Sequence, residues 1–278
     1  MKATQRGSRG IAILLAAATF GLAACQSVDT TSGGVVGVDR SQTMLSSVSS
    51  QEMRAAAGKQ YEQILADARK QGKLDRNVAE VRRVHAVVDR LIPQTTVFRP
   101  DARNWNWEAH VITSPEVNAW CMPGGKIAVY SGLIEKLHLS DAELAAVLGH
   151  EIAHALREHA RERMSEQLAA DSVISVGAAL LGLGDAAQQG VQALYMGTMG
   201  LPHSRLQETE ADRIGVELAA RAGYDPHAAV TLWQKMGSAD GSGTPAFLST
   251  HPSNQSRLHD LENYSARVMP LYDKAAGR

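Results

Sequence analysis

The 278-residue chain has few aromatic residues: three Phe, four Trp and six Tyr, 5% in all. Ala and Gly are frequent instead, which suits closely packed helices. Net charge is almost absent, with 28 Lys and Arg against 29 Asp and Glu and no block of one sign. The basic face that a nucleic-acid binder needs is therefore missing, and no nucleic-acid partner is expected. There is no internal repeat. Only two cysteines occur, Cys25 and Cys121, and they are better explained separately than as a disulfide. Cys121 lies in a strand-like run and reads as a small buried apolar residue. No apolar run is long enough for a comfortable membrane span. What remains is 44% hydrophobic and long enough for one sizeable core.

The N-terminus stands apart from that core. Lys2, Arg6 and Arg9 precede the short apolar run "IAILLAAATFGLAA", a secretory-signal pattern over residues 1–24. The run ends in "LAAC", which resembles the bacterial lipobox, with Cys25 as the lipidated residue. Several acyl chains would be needed for stable anchoring. Gln26, in place of Asp, favours the outer membrane. Residues 25–49 are rich in Ser, Thr and Gly and read as a flexible tether. Some 25 residues of that kind reach roughly 25–30 Å. The folded domain is expected over 50–278.

Helical patterns cover 50–71 and 75–92, the second ended by Pro93. Strand-like runs follow at 106–113, 116–122 and 124–132, with a Pro-Gly-Gly turn between the last two, and imply a small antiparallel or mixed sheet. Ser140 and Glu143 form a capping box that opens a long helix, expected from Asp141 to about Ala169. The segment 173–184 is apolar but Gly-interrupted and reads as core or as a flap. Further helices are expected near 203–222, 226–236 and 253–266, the middle one opened by Asp225-Pro226. The fold class is α+β and predominantly helical.

The chemistry is concentrated in "HEIAH", residues 150–154, on the long helix. His150 and His154 are one turn apart on one face and can converge on one zinc ion. Glu151 sits beside them and can act on a water there without occupying the metal; H-E-x-x-H on a helix is a metalloprotease signature for this reason. Leu144, Val147, Leu148 and Ala153 make the surroundings apolar, and such a charged cluster needs a compensating partner. Catalytic zinc takes three protein ligands and keeps an open position. His159, His203, Glu208, Glu210 and His251 can each supply the third. His159, five residues past His154, points to another helical face. Asp212 shares a face with Glu208 and can orient a ligating imidazole by accepting its other N–H. Glu210 faces away from both. His85, His110, His138, His203, His227 and His259 receive no role.

"HEIAH" followed by "SRLQETEAD" resembles the HtpX and CaaX-prenyl-protease type of gluzincin metallopeptidases, and within it the BepA/LoiP-like periplasmic lipoproteins of the shorter kind. The family pattern is HExxH and then ExxAD, which makes Glu208 the third zinc ligand and Asp212 its supporting acid. "NAWCMPGGKIAVYSGL" is similar to the family's N-A-x-x-x-P-G-G segment and the strand after it. The resemblance implies a zincin-like domain with an edge strand flanking the HExxH helix; the strand after that segment is the edge to which substrate adds as an extra strand, with Asn118, Ala119, Gly124 and Gly125 in the substrate-strand element. "STHPSNQSRL" resembles the family's T-H-P-x-x-x-x-R element and puts His251 and Arg257 near the metal. The similarity spans roughly residues 50–265.

The expected activity is zinc-dependent endoproteolysis, one Zn²⁺ per chain, with Glu151 as general base. His251 or Arg257 would stabilise the oxyanion, or His251 would fill the fourth zinc position and hold the enzyme latent. Expected substrates are unfolded or misassembled envelope proteins, met by an outer-membrane lipoprotein facing the periplasm. Outer-membrane assembly proteins are candidate partners. The competing reading is a zinc-containing, chaperone-like binding module with weak proteolysis.

Overall fold

A computed structural model describes residues 25–180, 203–238, 245–252 and 255–278, with backbone alone for 171–180. The expected signal peptide lies outside the described residues, as do the far end of the apolar 173–184 segment and most of the Gly/Ser loop before residue 245. The chain opens with strands β1 (Cys25–Val28) and β2 (Gln42–Leu45), then helices α1 (Ser50–Lys70) and α2 (Val78–Leu91). Two short 3₁₀ turns lead to β3 (Glu108–Ile112), β4 (Ala119–Met122) and β5 (Lys126–Tyr130). Helices α3 (Ser131–Leu137), α4 (Asp141–Leu156) and α5 (His159–Leu180) follow. The last elements are α6 (Arg205–Arg221), α7 (Ala228–Ser238), the single turn α8 (Ala246–Thr250) and α9 (Gln255–Ala275).

Side-chain caps set the helix starts. Ser49 with Glu52, Ser140 with Glu143, and Ser204 with Gln207 close capping boxes on α1, α4 and α6. Each satisfies backbone N–H groups that a helix start otherwise leaves unpaired.

The sheet is mixed, in the order β3-β5-β4, with β3 parallel and β4 antiparallel to β5. Residues 126–130, the strand after the Pro-Gly-Gly turn and the one expected to take up substrate, are therefore central and fully paired. The edge that packs along α4 is β4. The α+β, mainly helical architecture with an edge strand beside the HExxH helix is as the resemblance implied.

Two elements differ from expectation. Residues 25–49, read above as a flexible tether, are folded onto the domain. β1 and β2 form an antiparallel pair, and Val36, Val38, Met44 and Val48 are buried. Gly34 makes this close approach feasible: it has φ +59°, and a β-carbon there would lie 2.5 Å from a Phe98 ring atom. Composition alone hides this, because a few valines among many small polar residues suffice to bury a short segment.

The helix after Ser140 stops at Leu156 rather than continuing to Ala169. Glu158 takes a left-handed conformation, φ +51°, which costs energy for a residue other than glycine. Its carboxylate is held by the Ser50 hydroxyl at 2.7 and 2.8 Å, Arg161 at 3.0 Å and Arg99 at 2.7 Å. The freed carbonyl of Arg157 accepts from the Gln42 amide at 2.8 Å. α5 therefore starts in a new direction and brings His159 back toward the HExxH helix.

α4 and α6 pack along each other more extensively than any other pair among the described elements. Gly149 and Gly215 lie at their crossing; a β-carbon on Gly149 would be 2.8 Å from the Gly215 carbonyl oxygen. This close approach lays the two metal-ligand helices side by side.

Candidate metal centre

His150 and His154 project from α4 and Glu208 from the first turn of α6, all buried. The Nε2 atoms of the two imidazoles are 3.1 Å apart. Glu208 lies 3.6 Å from His150 Nε2 and 3.4 Å from His154 Nε2. A tetrahedral ion with bonds of about 2.0–2.1 Å separates its ligand atoms by about 3.3 Å.

The protons around these residues favour a cation between them. The Asp212 carboxylate, 2.9 Å from His150 Nδ1, requires the His150 proton on that nitrogen. The Glu210 carboxylate, 3.0 Å from His159 Nε2, requires the proton of a neutral His159 there. His159 Nδ1 is then an acceptor, so His154 Nδ1, 2.8 Å away, must donate to it. With both imidazoles neutral, as metal ligands must be, both Nε2 atoms are lone pairs facing each other and a carboxylate. One proton on His251 Nδ1 can serve Glu208 Oε1 at 3.0 Å or His150 Nε2 at 3.2 Å, and without a metal His154 Nε2 meets a donor only if His150 takes a second proton on Nε2, 3.1 Å away. A metal ion resolves this arrangement, and zinc suits a set of two imidazoles and a carboxylate.

Burial opposes a charge on His150, but Asp212, Glu208 and Glu151 outweigh it and raise its pKa, so this corner favours a positive charge, a proton or a metal. Burial pushes His154 well below its usual pKa, keeping it neutral as a ligand must be. Burial opposes the Glu208 carboxylate, but a hydrogen bond from His251 and the charges of His150 and Arg257 outweigh it and hold the group ionised. Glu151 differs. Burial raises its pKa and Glu208 adds to this, against the opposing pull of His251 and His150. Its Oε1 is buried without a hydrogen-bond partner. A carboxylate with a raised pKa and a spare oxygen beside a metal corner is equipped to accept a proton.

The groove over this centre runs between β4 and α4, and Asn118, Ala119, Glu151, His154, His203 and His251 line it. Asn118 and Ala119 thus lie where expected. Gly124 and Gly125 do not; they form the β4–β5 turn with φ +87° and +83°. A β-carbon on Gly125 would strike Trp107 at 2.5 Å, so these glycines serve the turn.

His251 Nδ1 points at the metal corner, and its Nε2 lies 3.4 Å from Glu151. Together with His150, His154 and Glu208 it forms a four-ligand group. Arg257 does not face the groove, contrary to its expected oxyanion role. It binds Asp212 through Nε and Nη2, each at 2.8 Å, stands 2.7 Å from Glu208, and stacks on Trp233. A guanidinium already shared between two buried carboxylates is a support for the ligands. Cys25 is exposed at the start of β1.

Two histidines, weighed in the sequence as third ligands and then set aside, lie against the site. His203 packs 3.9 Å from His154 between ring centroids and stacks on His251, and it contacts Arg163. His159 backs His154 as described. The spacing of His159 from His154 is misleading because the helix breaks between them.

With fold and site in view, the chain belongs to peptidase family M48, whose pattern matches residues 79–265. It carries the peptidase domain of that family. It is 41% identical over 160 residues to the mitochondrial metalloendopeptidase OMA1 of Schizosaccharomyces pombe, covering 57% of this chain and 46% of that protein. It is 35% identical over 202 residues to the mitochondrial metalloendopeptidase OMA1 of Bos taurus, 68% of this chain and 38% of that one. It is 32% identical over 172 residues to the beta-barrel assembly-enhancing protease of Escherichia coli K12, 58% of this chain and 35% of that one. The chain thus spans less than half the length of these relatives.

Proposed function

We propose that this chain is a zinc-dependent endopeptidase that binds extended segments of unfolded or misassembled envelope proteins along β4 and cleaves them. The observation that carries the reading is the convergence of the His150, His154 and Glu208 ligand atoms on one buried corner, beside the buried carboxylate of Glu151. Zinc, when bound, would polarise the scissile carbonyl and lower the pKa of an attacking water to about 7. Glu151 takes the proton from that water and delivers it to the leaving amine. Asp212 and Arg257 hold His150 and Glu208 in register. β4 is the edge strand of the sheet; an extended chain would pair along it by displacing the Asn118 side chain from the Ala119 N–H, so recognition is by main chain and only loosely selective.

His251 supports a latent resting state, because its Nδ1 occupies the corner that substrate would need. This observation also keeps alive the second reading, a zinc-stabilised binding module in which four ligands close the site.

Anchoring follows from Cys25 and the lipobox-like "LAAC", and the site of action is then the periplasmic face of the outer membrane. The similarity to a beta-barrel assembly-enhancing protease supports that setting, with outer-membrane assembly proteins as partners, whereas the OMA1 relatives are mitochondrial. No helix among the described residues is long and apolar enough to cross a membrane.

The test is to load the full chain with zinc, quantify the metal, and incubate it with unfolded casein, with and without chelator. One zinc per chain and chelator-sensitive internal cleavage are expected. Zinc without cleavage in the wild type and in His251→Ala would favour the binding module, and no zinc would overturn both readings.

A further inference from the structure

The face of His154 turned away from the metal corner leads into a buried polar chain that ends in the N-terminal segment. His154 Nδ1 meets His159 Nδ1 at 2.8 Å, and His159 Nε2 meets Glu210 Oε2 at 3.0 Å. Two guanidinium groups grip Glu210. Arg157 donates from Nε and Nη2 at 3.2 and 3.1 Å, and Arg40 from Nε and Nη2 at 2.6 and 3.0 Å. Arg40 also straddles Glu162, at 2.7 and 3.2 Å. Arg157, fully buried, donates to the Arg40 carbonyl at 2.9 Å and to the hydroxyls of Thr30 and Thr31. Gln42 ties the same segment to Glu162 at 2.9 Å.

We infer that residues 25–45 act as a brace for the metal centre: Arg40 fixes Glu210, Glu210 fixes the tautomer and ring plane of His159, and His159 fixes His154. The inference rests on the zinc reading above. A ligating imidazole normally passes its second N–H to a carboxylate, a carbonyl or water, and losing that partner weakens metal binding. His150 has its carboxylate directly, Asp212 on α6. His154 reaches its carboxylate, Glu210 on the same helix, only through His159. That intermediary is within reach because the helix breaks at Glu158.

The two arms differ in what holds them. Asp212 is fixed by Arg257 from α9, within the domain. Glu210 is fixed by Arg157 from the break and by Arg40 from the N-terminal segment, which is laid across the domain ahead of α1. A neutral imidazole must present one lone pair and one N–H in a set orientation. The carboxylate of Glu210 enforces that choice on His159, and a carboxylate oxygen free to turn would not. His159 and Arg40 are therefore positioning residues.

The test measures zinc affinity of the full, detergent-solubilised chain by competition with a chromogenic chelator. His159→Leu keeps the bulk and removes the acceptor; zinc affinity should fall about 10–100-fold. His159→Asn places an amide oxygen near the Nδ1 position and should recover part of the loss. Arg40→Gln, and Gly34→Val, which levers the segment off Phe98 without touching the relay, should each weaken zinc binding by less than His159→Leu. Melting of the metal-free proteins controls for misfolding. A readout independent of metal is the imidazole ¹⁵N spectrum of metal-free wild type, which should show His154 protonated on Nδ1 and His159 on Nε2. His154 protonated on Nε2, or zinc affinity unchanged in His159→Leu while wild type binds one zinc, would overturn the brace alone. A wild-type chain that binds no zinc would overturn the zinc reading and the brace with it.

Discussion

Gly149 and Gly215 touch where the two helices bearing the metal ligands cross, and neither position has room for a β-carbon. A β-carbon on Gly215 would lie 2.7 Å from the His150 backbone nitrogen. Nothing flexible stands there to give way, since the neighbours are main-chain atoms of α4. Gly215→Ala should therefore push α6 from α4 and carry Glu208 away from His150 and His154. Overpacking of this kind costs about 1–3 kcal/mol. The expected outcome is a lower melting temperature together with weakened zinc binding, read by calorimetry and chelator competition. Gly58→Ala, on the α1 surface with open space around it, should leave zinc binding unchanged.

Glu151→Gln separates metal binding from proton transfer. The amide keeps the shape of the side chain but cannot take a proton from water. Zinc content should stay at the wild-type level, because Glu151 is not among the converging His150, His154 and Glu208 atoms. Cleavage should fall about 10²–10⁴-fold, the usual worth of a general base. Residual cleavage of unfolded casein at the wild-type rate would remove Glu151 from the mechanism.

Much of this site was legible in the sequence because its chemistry lies in contiguous motifs on helices. The i,i+4 spacing put His150 and His154 on one face, and the same spacing placed Asp212 with Glu208. The three-stranded sheet and the capping box at Ser140 were also readable from local signals. What escaped depends on contacts distant in sequence. The helix break at Glu158 needs Arg99, Arg161 and Ser50, so His159 pointed the wrong way until those partners were known. The N-terminal segment reads as a tether because its valines are sparse, yet Arg40 finds two buried carboxylates more than 100 residues away. Arg257 was placed near the metal by its motif, but only the buried positions of Asp212, Glu208 and Trp233 show which way it faces.

His251 should restrain activity. Its Nδ1 lies 3.0 Å from Glu208 and 3.2 Å from His150, in the corner a scissile carbonyl has to enter. Every molecule in that arrangement is closed to substrate, so apparent activity scales with the fraction that is open. If about 90% of molecules are closed, His251→Ala raises the initial cleavage rate about tenfold. Wild-type and variant rates on an unfolded substrate, at equal zinc occupancy, measure it. A large loss of kcat in the variant would instead assign His251 to the transition state.

Glu158 gives the fold an acid-sensitive contribution that can be measured apart from the metal. Burial disfavours its carboxylate, but Arg99, the Ser50 hydroxyl and Arg161 outweigh that and hold its pKa below the usual value. A carboxyl with a lowered folded pKa binds fewer protons in the native state than in the unfolded chain. Its contribution is therefore complete above the unfolded value of about 4.3 and is lost as pH falls through the lower folded value. Glu158→Gln removes the charge while keeping the left-handed backbone and much of the side-chain shape. Near neutral pH the variant should lose about 1.5–3 kcal/mol, the range for a hydrogen bond to a charged group. As pH falls below about 4.3 the gap to wild type should narrow, closing only below the lower folded value, where the native wild-type carboxyl is neutralised as well. Urea unfolding of metal-free protein at a series of pH values reads both, without interference from protonation of the zinc ligands. A gap that stays constant with pH would mean that Glu158 holds the break by shape and not by charge.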